Sequence, residues 1–271
     1  MQRVAVAGNV AVDRIDGHPP SAGGCPSFAA LALRLLGRQG QIVTRYSEAD
    51  RELFEPFLSS LGMPVTTLEA GSTNGFGFNY DGEHRTVTVD AIGQPWSPVD
   101  AQALESSIGW VHVAPLLRSD FPADALAALA DDGRVLSYDG QGLVRVPEIG
   151  PMRVDAAFEP ELLRPISVLK LAEDEAVVIA GGEFGERHAR KLAIPEILVT
   201  FGSEGSTLYI DGSSEHVPAA WPVLGVQTTG AGDVFMVGYM VARSDGEEPR
   251  RAVELASELV ARMLDERKHT G

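Results

Sequence analysis

A single cysteine, Cys25, occurs in 271 residues. Disulfides within the chain are thereby excluded, and so are cysteine-based zinc sites. Lysine is almost as scarce, with Lys170, Lys191 and Lys268 the three present. That scarcity argues against a lysine-dependent phosphate clamp, and no Gly-rich loop ending in Lys-Ser or Lys-Thr occurs. Basic charge is short overall: 22 lysines and arginines face 38 acidic residues, a formal net charge of −16. Nucleic-acid binders carry basic patches, so this balance argues against such a partner. No run approaches the roughly 18 apolar residues of a membrane span. The chain also starts directly on a strand-like segment, and a cytoplasmic protein without a membrane partner is expected. The six histidines are scattered without metal-ligand spacing.

What is present reads as a soluble globular chain, 44% apolar and 22% charged. Its length suits one α/β domain with a small appendage. Short apolar segments at Arg3–Gly8, Ile42–Arg45, Val65–Leu68, Trp110–Ala114, Val135–Asp139 and Ile166–Lys170 predict strands. Helical patterns such as Phe28–Leu36, Arg51–Leu61 and Ala123–Ala130 fall between them. Strands alternating with helices imply a mostly parallel sheet covered on both faces. Two alternating stretches, Gly75–Tyr80 and Arg85–Val89, flank Asp81-Gly82-Glu83-His84 and predict a hairpin.

One stretch organises the rest. Gln227-Thr228-Thr229-Gly230-Ala231-Gly232-Asp233 is a polar, glycine-rich turn leading into the apolar run Val234–Met240. Thr228 or Thr229 can cap a helix there, and two glycines in the first turn leave backbone N–H groups open to a ligand. With the helix dipole, those groups suit an anion such as phosphate. An acid at the same place would repel that anion unless it had separate work, such as taking a proton from an attacking hydroxyl. An ordinary capped helix with an acidic first turn explains the composition equally well.

Thr228-Thr229-Gly230-Ala231-Gly232-Asp233 resembles the C-terminal signature of the ribokinase, or PfkB-type, carbohydrate kinases. Gly23-Gly24-Cys25 before a helix is similar to the N-terminal Gly-Gly motif of that family. Asp139-Gly140-Gln141-Gly142-Leu143-Val144-Arg145 and Lys170–Ala176 look closer to its myo-inositol kinase branch than to ribokinase. The resemblance implies one ribokinase-like α/β domain over residues 1–271, with lid segments at about 10–22 and 73–92. It implies an ATP- and Mg²⁺-dependent kinase for a hydroxyl of a small sugar or polyol, inositol-like for preference. A homodimer through the lid is an assembly open to such a protein.

By that resemblance Asp233 is the base, kept ionised by the helix dipole, and the N–H groups of Gly230, Ala231 and Gly232 form the anion hole. Asn9, Asp13, Gly23, Gly24, Cys25 and Asp139 fall to the acceptor; a solvated loop aspartate is the plain alternative for Asp13. Thr200, Gly202 and Gly205 resemble the nucleotide loop, where a simple glycine hairpin would also fit. Ser257, on the closing amphipathic helix, falls to the adenine wall. Glu175 is left as the metal residue, Ala172 standing where the family commonly has asparagine; a helix-starting glutamate is its alternative. A nucleoside acceptor remains open, as does a non-catalytic binding paralogue, which Ala172 and Gln141 suggest.

Overall fold

The computed structural model describes residues 3–81, 84–223 and 225–270. In its first half lie β1 (Arg3–Gly8), β2 (Val10–Ile15), β3 (Ser21–Gly24), β4 (Gly40–Ser47), β5 (Val65–Ala70), β6 (Asn74–Asp81) and β7 (His84–Ala91). There follow β8 (Ile108–Ala114), β9 (Val135–Asp139), β10 (Gly150–Pro151), β11 (Ile166–Ala172), β12 (Glu196–Thr200), β13 (Ser206–Ile210) and β14 (Ser213–Val217). The helices are α1 (Cys25–Leu35), α2 (Arg51–Ser60), α3 (Ala123–Ala130) and α4 (Gln141–Val144), then α5 (Glu173–Ala180), α6 (Glu186–Leu192), α7 (Ala231–Ser244) and α8 (Pro249–Thr270).

Nine of the described strands form one sheet in the order β14-β13-β12-β11-β9-β8-β1-β4-β5. From β12 to β5 every pairing is parallel, and β13 and β14 close one edge antiparallel. Side chains alternate along a strand, so β1 feeds two cores. Val4 and Val6 pack with α1, α7 and α8, whereas Ala5 and Ala7 pack with residues of α3, α5 and α6. This two-sided sheet is the one the alternating pattern predicts. The polar edge strand β14 carries no such signal, because Ser213 to His216 are all exposed.

The other five described strands form a second sheet, β10-β7-β6-β2-β3. A single residue, Asn9, separates β1 of the large sheet from β2 of the small one. Gly82 and Glu83, at the predicted hairpin turn, lie outside the described residues. Ala11, Phe76, Val89, Leu116 and Leu117 make a third apolar cluster beneath the small sheet. Among the described residues no helix is long and apolar enough to cross a membrane.

Helix α7 is buried continuously from Val234 to Ala242. Each large apolar side chain there contributes on the order of 1.5–3 kcal/mol by leaving water. Gly238 lets α8 pass close, since a Cβ there would meet Ala256 Cα at 3.2 Å. The start of α7 is thereby held against the strand ends, where open α/β sheets bind ligands.

Candidate active site

Helix α7 begins on a glycine rather than on a threonine. Gly230 is the N-cap residue with φ of 80°, and no side chain caps it. Any Cβ at Gly230 would collide with the Phe28 ring. The expected Thr228 or Thr229 cap is therefore replaced by a backbone turn, in which Ala231 N–H donates to Thr228 O at 2.9 Å. That bond also corrects the expected anion hole, because the Ala231 N–H is committed to the turn. The first bond of the helix proper runs from Val234 N–H to Gly230 O at 3.0 Å. The N–H groups of Gly232 and Asp233 consequently have no acceptor within the helix, and they face the positive end of its dipole.

Asp233 is partly accessible at this point, and the Cys25 thiol donates to its carboxylate. Burial, with the Asp139 charge adding to it, pushes the Asp233 carboxyl up to about 6; Cys25, Lys170 and Arg145 oppose the shift. Asp233 therefore titrates above an ordinary aspartate yet stays mainly ionised at neutral pH, as a general base has to be. Burial, and after it the charge and hydrogen bond of Asp233, raise the Cys25 thiol well above its ordinary value, which makes it an unreactive partner.

Composition alone missed Lys170. Its side chain is 8% exposed and its Nζ lies 3.3 Å from Asp139 Oδ2. A Cβ on Gly232 would stand 3.2 Å from the same nitrogen, so the ammonium sits beside the glycine turn that opens α7. Burial would lower its pKa, but Asp139, Glu175 and Asp233 outweigh burial and keep it charged. The scarcity of lysine argued against a lysine clamp, yet one of the three lysines is buried beside the Gly232 turn. A lysine inside the apolar strand Ile166–Ala172 was the available signal.

Asp139, expected at the acceptor, is held in the structure by partners of its own. It is 3% exposed, binds Lys170 and accepts from Gln141 N–H at 3.2 Å. Burial works to raise its carboxyl, but Lys170, His112 and the Gln141 N–H outweigh it and hold the group below the usual carboxylate range. Behind it, His112 is fully buried, its Nδ1 3.1 Å from Ser137 Oγ, and burial lowers it to about 4 so that it stays neutral. Glu175 Oε2 accepts from Ala172 N–H at 2.8 Å, the acidic half of a capping box that alanine cannot complete. Burial raises the Glu175 carboxyl despite the opposing charge of Lys170.

On the side of the small sheet, Asp13 and Gly23 meet. A Cβ on Gly23 would overlap the Asp13 carboxylate, so the Gly-Gly motif lets the acid lie flat against backbone. Gly24 follows as the N-cap residue of α1. Asn9, expected beside them, is turned away from any ligand. It is 2% exposed, accepts from Trp96 Nε1 at 2.7 Å and donates to the buried Asp120. An amide placed between two strands has to satisfy its polar atoms internally, and here it does so.

Beyond the start of α7, a cavity of about 450 Å³ is lined by Thr200, Gly202, Gly205, Ser257, Trp221 and Phe235, among others, and reaches Ala231 and Gly232. Four residues that the sequence assigned to a nucleotide, drawn from two distant segments, thus share one wall. Thr200 Oγ1 donates to Leu171 O at 3.3 Å, and Ser257 Oγ accepts from Ala220 N–H at 2.8 Å. Trp221 is the chain's one tryptophan that is not buried. Asp265 Oδ2 fixes its indole N–H at 2.8 Å.

The large sheet, its small companion and the glycine-led helix have the architecture of the ribokinase-like fold. A model of the pfkB family carbohydrate kinases matches residues 110–267, and the chain belongs to that family. It is 27% identical to a fructokinase of Escherichia coli, over 94% of this chain and 90% of that one. It superposes with a TM-score of 0.79 on a pyrophosphate-dependent kinase in the ribokinase family, solved with a pyrophosphate analog and myo-inositol. That match has 23% identity and covers 98% of this chain and 95% of the other. Arabidopsis thaliana ribokinase, solved with ribose and ATP, superposes with a TM-score of 0.69 at 21% identity, covering 94% and 90% of the two chains. The protein is a phosphotransferase whose acceptor is a sugar or polyol hydroxyl.

Proposed function

We propose that the chain transfers the terminal phosphoryl group of ATP to one hydroxyl of a small sugar or polyol, with an inositol-like ring preferred. The observation that carries this reading is the position of Asp233. It stands at the open start of α7, next to Gly232 of the cavity wall on one side and bonded to Cys25 of α1 on the other. In this reading the small sheet is the lid over the acceptor, with Asp13 binding its hydroxyls. The Asp233 carboxylate takes the proton of the attacking hydroxyl. The acceptor oxygen bonds to the γ-phosphorus, the bond to the bridging oxygen breaks, and ADP leaves with that electron pair. Charge on the transferring group meets the N–H groups of Gly232 and Asp233 and the Lys170 ammonium.

Among the described residues no cluster of three acidic, histidine or cysteine side chains forms a metal site, and the Glu175 carboxylate is the hard oxygen donor that suits Mg²⁺. Glu175, reaching the ion through water, is the residue that would hold it. When bound, Mg²⁺ neutralises donor phosphate charge. Glu175 Oε2 already accepts from Ala172 N–H, which would hold the carboxylate in place for the ion.

A second reading keeps the acceptor and replaces ATP with pyrophosphate, the donor named for the structural relative with myo-inositol. The cavity favours ATP, because pyrophosphate has no use for walls such as Phe235, Val260 and Leu264. Mass-spectrometric detection of a phosphorylated product, from pooled sugars, polyols and nucleosides with each donor in turn, separates the readings. Product from ATP and a myo-inositol-like acceptor supports the proposal. Product from pyrophosphate alone overturns the donor assignment.

Asp13→Ala is expected to raise the acceptor KM about 10- to 100-fold, the loss of a charged hydrogen-bond partner worth roughly 1.5–3 kcal/mol. The ATP KM should change little. Steady-state kinetics in both substrates checks this, and equal effects on both would remove Asp13 from the acceptor site.

A further inference from the structure

We propose that Arg267, near the end of α8, is a positioning residue that latches the loop before α7 and so sets the anion-binding turn. This inference rests on the role given above to the start of α7. One nitrogen of the Arg267 guanidinium donates to two carbonyls of that loop, Gln227 O at 3.0 Å and Thr229 O at 2.8 Å. The carbonyl between them, Thr228 O, accepts from Ala231 N–H at 2.9 Å. Three successive peptide groups are thus oriented, and their orientation decides where Gly230 turns and where the next N–H groups point. Charge-assisted bonds to carbonyls are about twice as strong as neutral ones, so Arg267 restrains the loop more firmly than a neutral donor would.

The latch has a second arm. The Arg267 guanidinium carbon lies 6.0 Å from the centre of the Phe28 ring, within cation–π range. The same ring fills the space where a Cβ on Gly230 would fall. Phe28 belongs to α1, whose first residue, Cys25, donates its thiol to Asp233. Helix α1 therefore touches the start of α7 twice, at the base and at the glycine, and Arg267 presses the second contact from behind. An acceptor seated at Gly23–Cys25 and a donor in the cavity are aligned through one shared backbone turn. Lysine cannot replace this arrangement, since an ammonium lacks the flat face that stacks on Phe28 while donating sideways to carbonyls.

The test compares wild type, Arg267→Ala, Arg267→Lys and Phe28→Leu by kinetics and by amide hydrogen exchange. Misplacement of the anion site by a fraction of an ångström to about 1 Å predicts a fall in kcat of about 10- to 100-fold for Arg267→Ala. Both KM values should stay within about threefold, because neither substrate loses a direct contact. Added guanidinium chloride at millimolar concentration should restore part of the lost kcat in Arg267→Ala and leave wild type unchanged. Exchange should rise in peptides covering residues 226–235, with the core strands unaffected. Phe28→Leu should show the same kinetic pattern without rescue, and Arg267→Lys an intermediate loss. A kcat within about twofold of wild type, or a loss without local exchange and without rescue, overturns the latch. Absence of any transfer from ATP by wild type overturns the proposed function instead, and local exchange in Arg267→Ala then decides the latch alone.

Discussion

Asp233→Asn is expected to lose phosphoryl transfer by about 10²–10⁴-fold, the usual share of a general base, while ATP still binds. Asparagine keeps the shape of the side chain and the backbone N–H groups around it, so the anion site loses no donor. In the wild type, a base with a pKa near 6 must be ionised to work. kcat/KM should therefore fall as the pH drops through about 6. Stability should move the other way. The folded chain holds the Asp233 proton to higher pH than the unfolded chain, whose carboxyl titrates near 3.8. Folding thus loses free energy between those two values and does not regain it at higher pH. Asp233→Asn escapes that loss, so it should melt a few degrees above wild type near neutral pH and converge with it in acid. A variant with more than about a tenth of wild-type turnover, or one that melts lower at neutral pH, would remove Asp233 from this role.

Lys170→Met should be damaging in two separable ways. Removing one partner of a buried ion pair costs about 3–5 kcal/mol, because the other charge is left unpaired. Here Asp139 is the stranded partner, and Glu175 and Asp233 lose a compensating field as well. Urea unfolding reads that loss. Transfer should fall by about 10²–10³-fold in the folded fraction, as when a donor to a developing anion is removed. The acid limb of kcat/KM should also shift upward, since Lys170 holds the Asp233 carboxyl down. Combining Lys170→Met with Asp139→Asn removes the stranded charge and should recover stability without recovering turnover. Recovery of both would make Lys170 a purely structural cation.

The fold was legible wherever apolar segments were short and cleanly bounded. Arg3–Gly8, Val135–Asp139 and Ala123–Ala130 occupy the bounds the pattern predicts. The Thr200 loop and Ser257, far apart in the chain, do meet at one cavity, because each carries a local signal of its own. What the sequence did not disclose depends on neighbours from distant segments. Lysine scarcity was read as an absence, whereas position decides what the remaining lysine at 170 can do. Asp139 and Asn9 stand at strand ends, as acceptor ligands would, but buried partners satisfy them. The pKa of Asp233 follows from burial and from Asp139, neither of which a helix-start motif encodes. Phe28 and Arg267 bear on Gly230 only once α1, α7 and α8 have packed.

The one-residue join between β1 and β2 has a mechanical meaning. Asn9 is pinned by Trp96 and Asp120, so the small sheet grows from the central strand as a cantilever clamped at its base. A clamped beam has no pivot at its root, and its free end moves only by flexing along its length. Such a sheet is expected to move least near Val10 and Gly24, which pair at the base, and Asp13 lies close to that clamp.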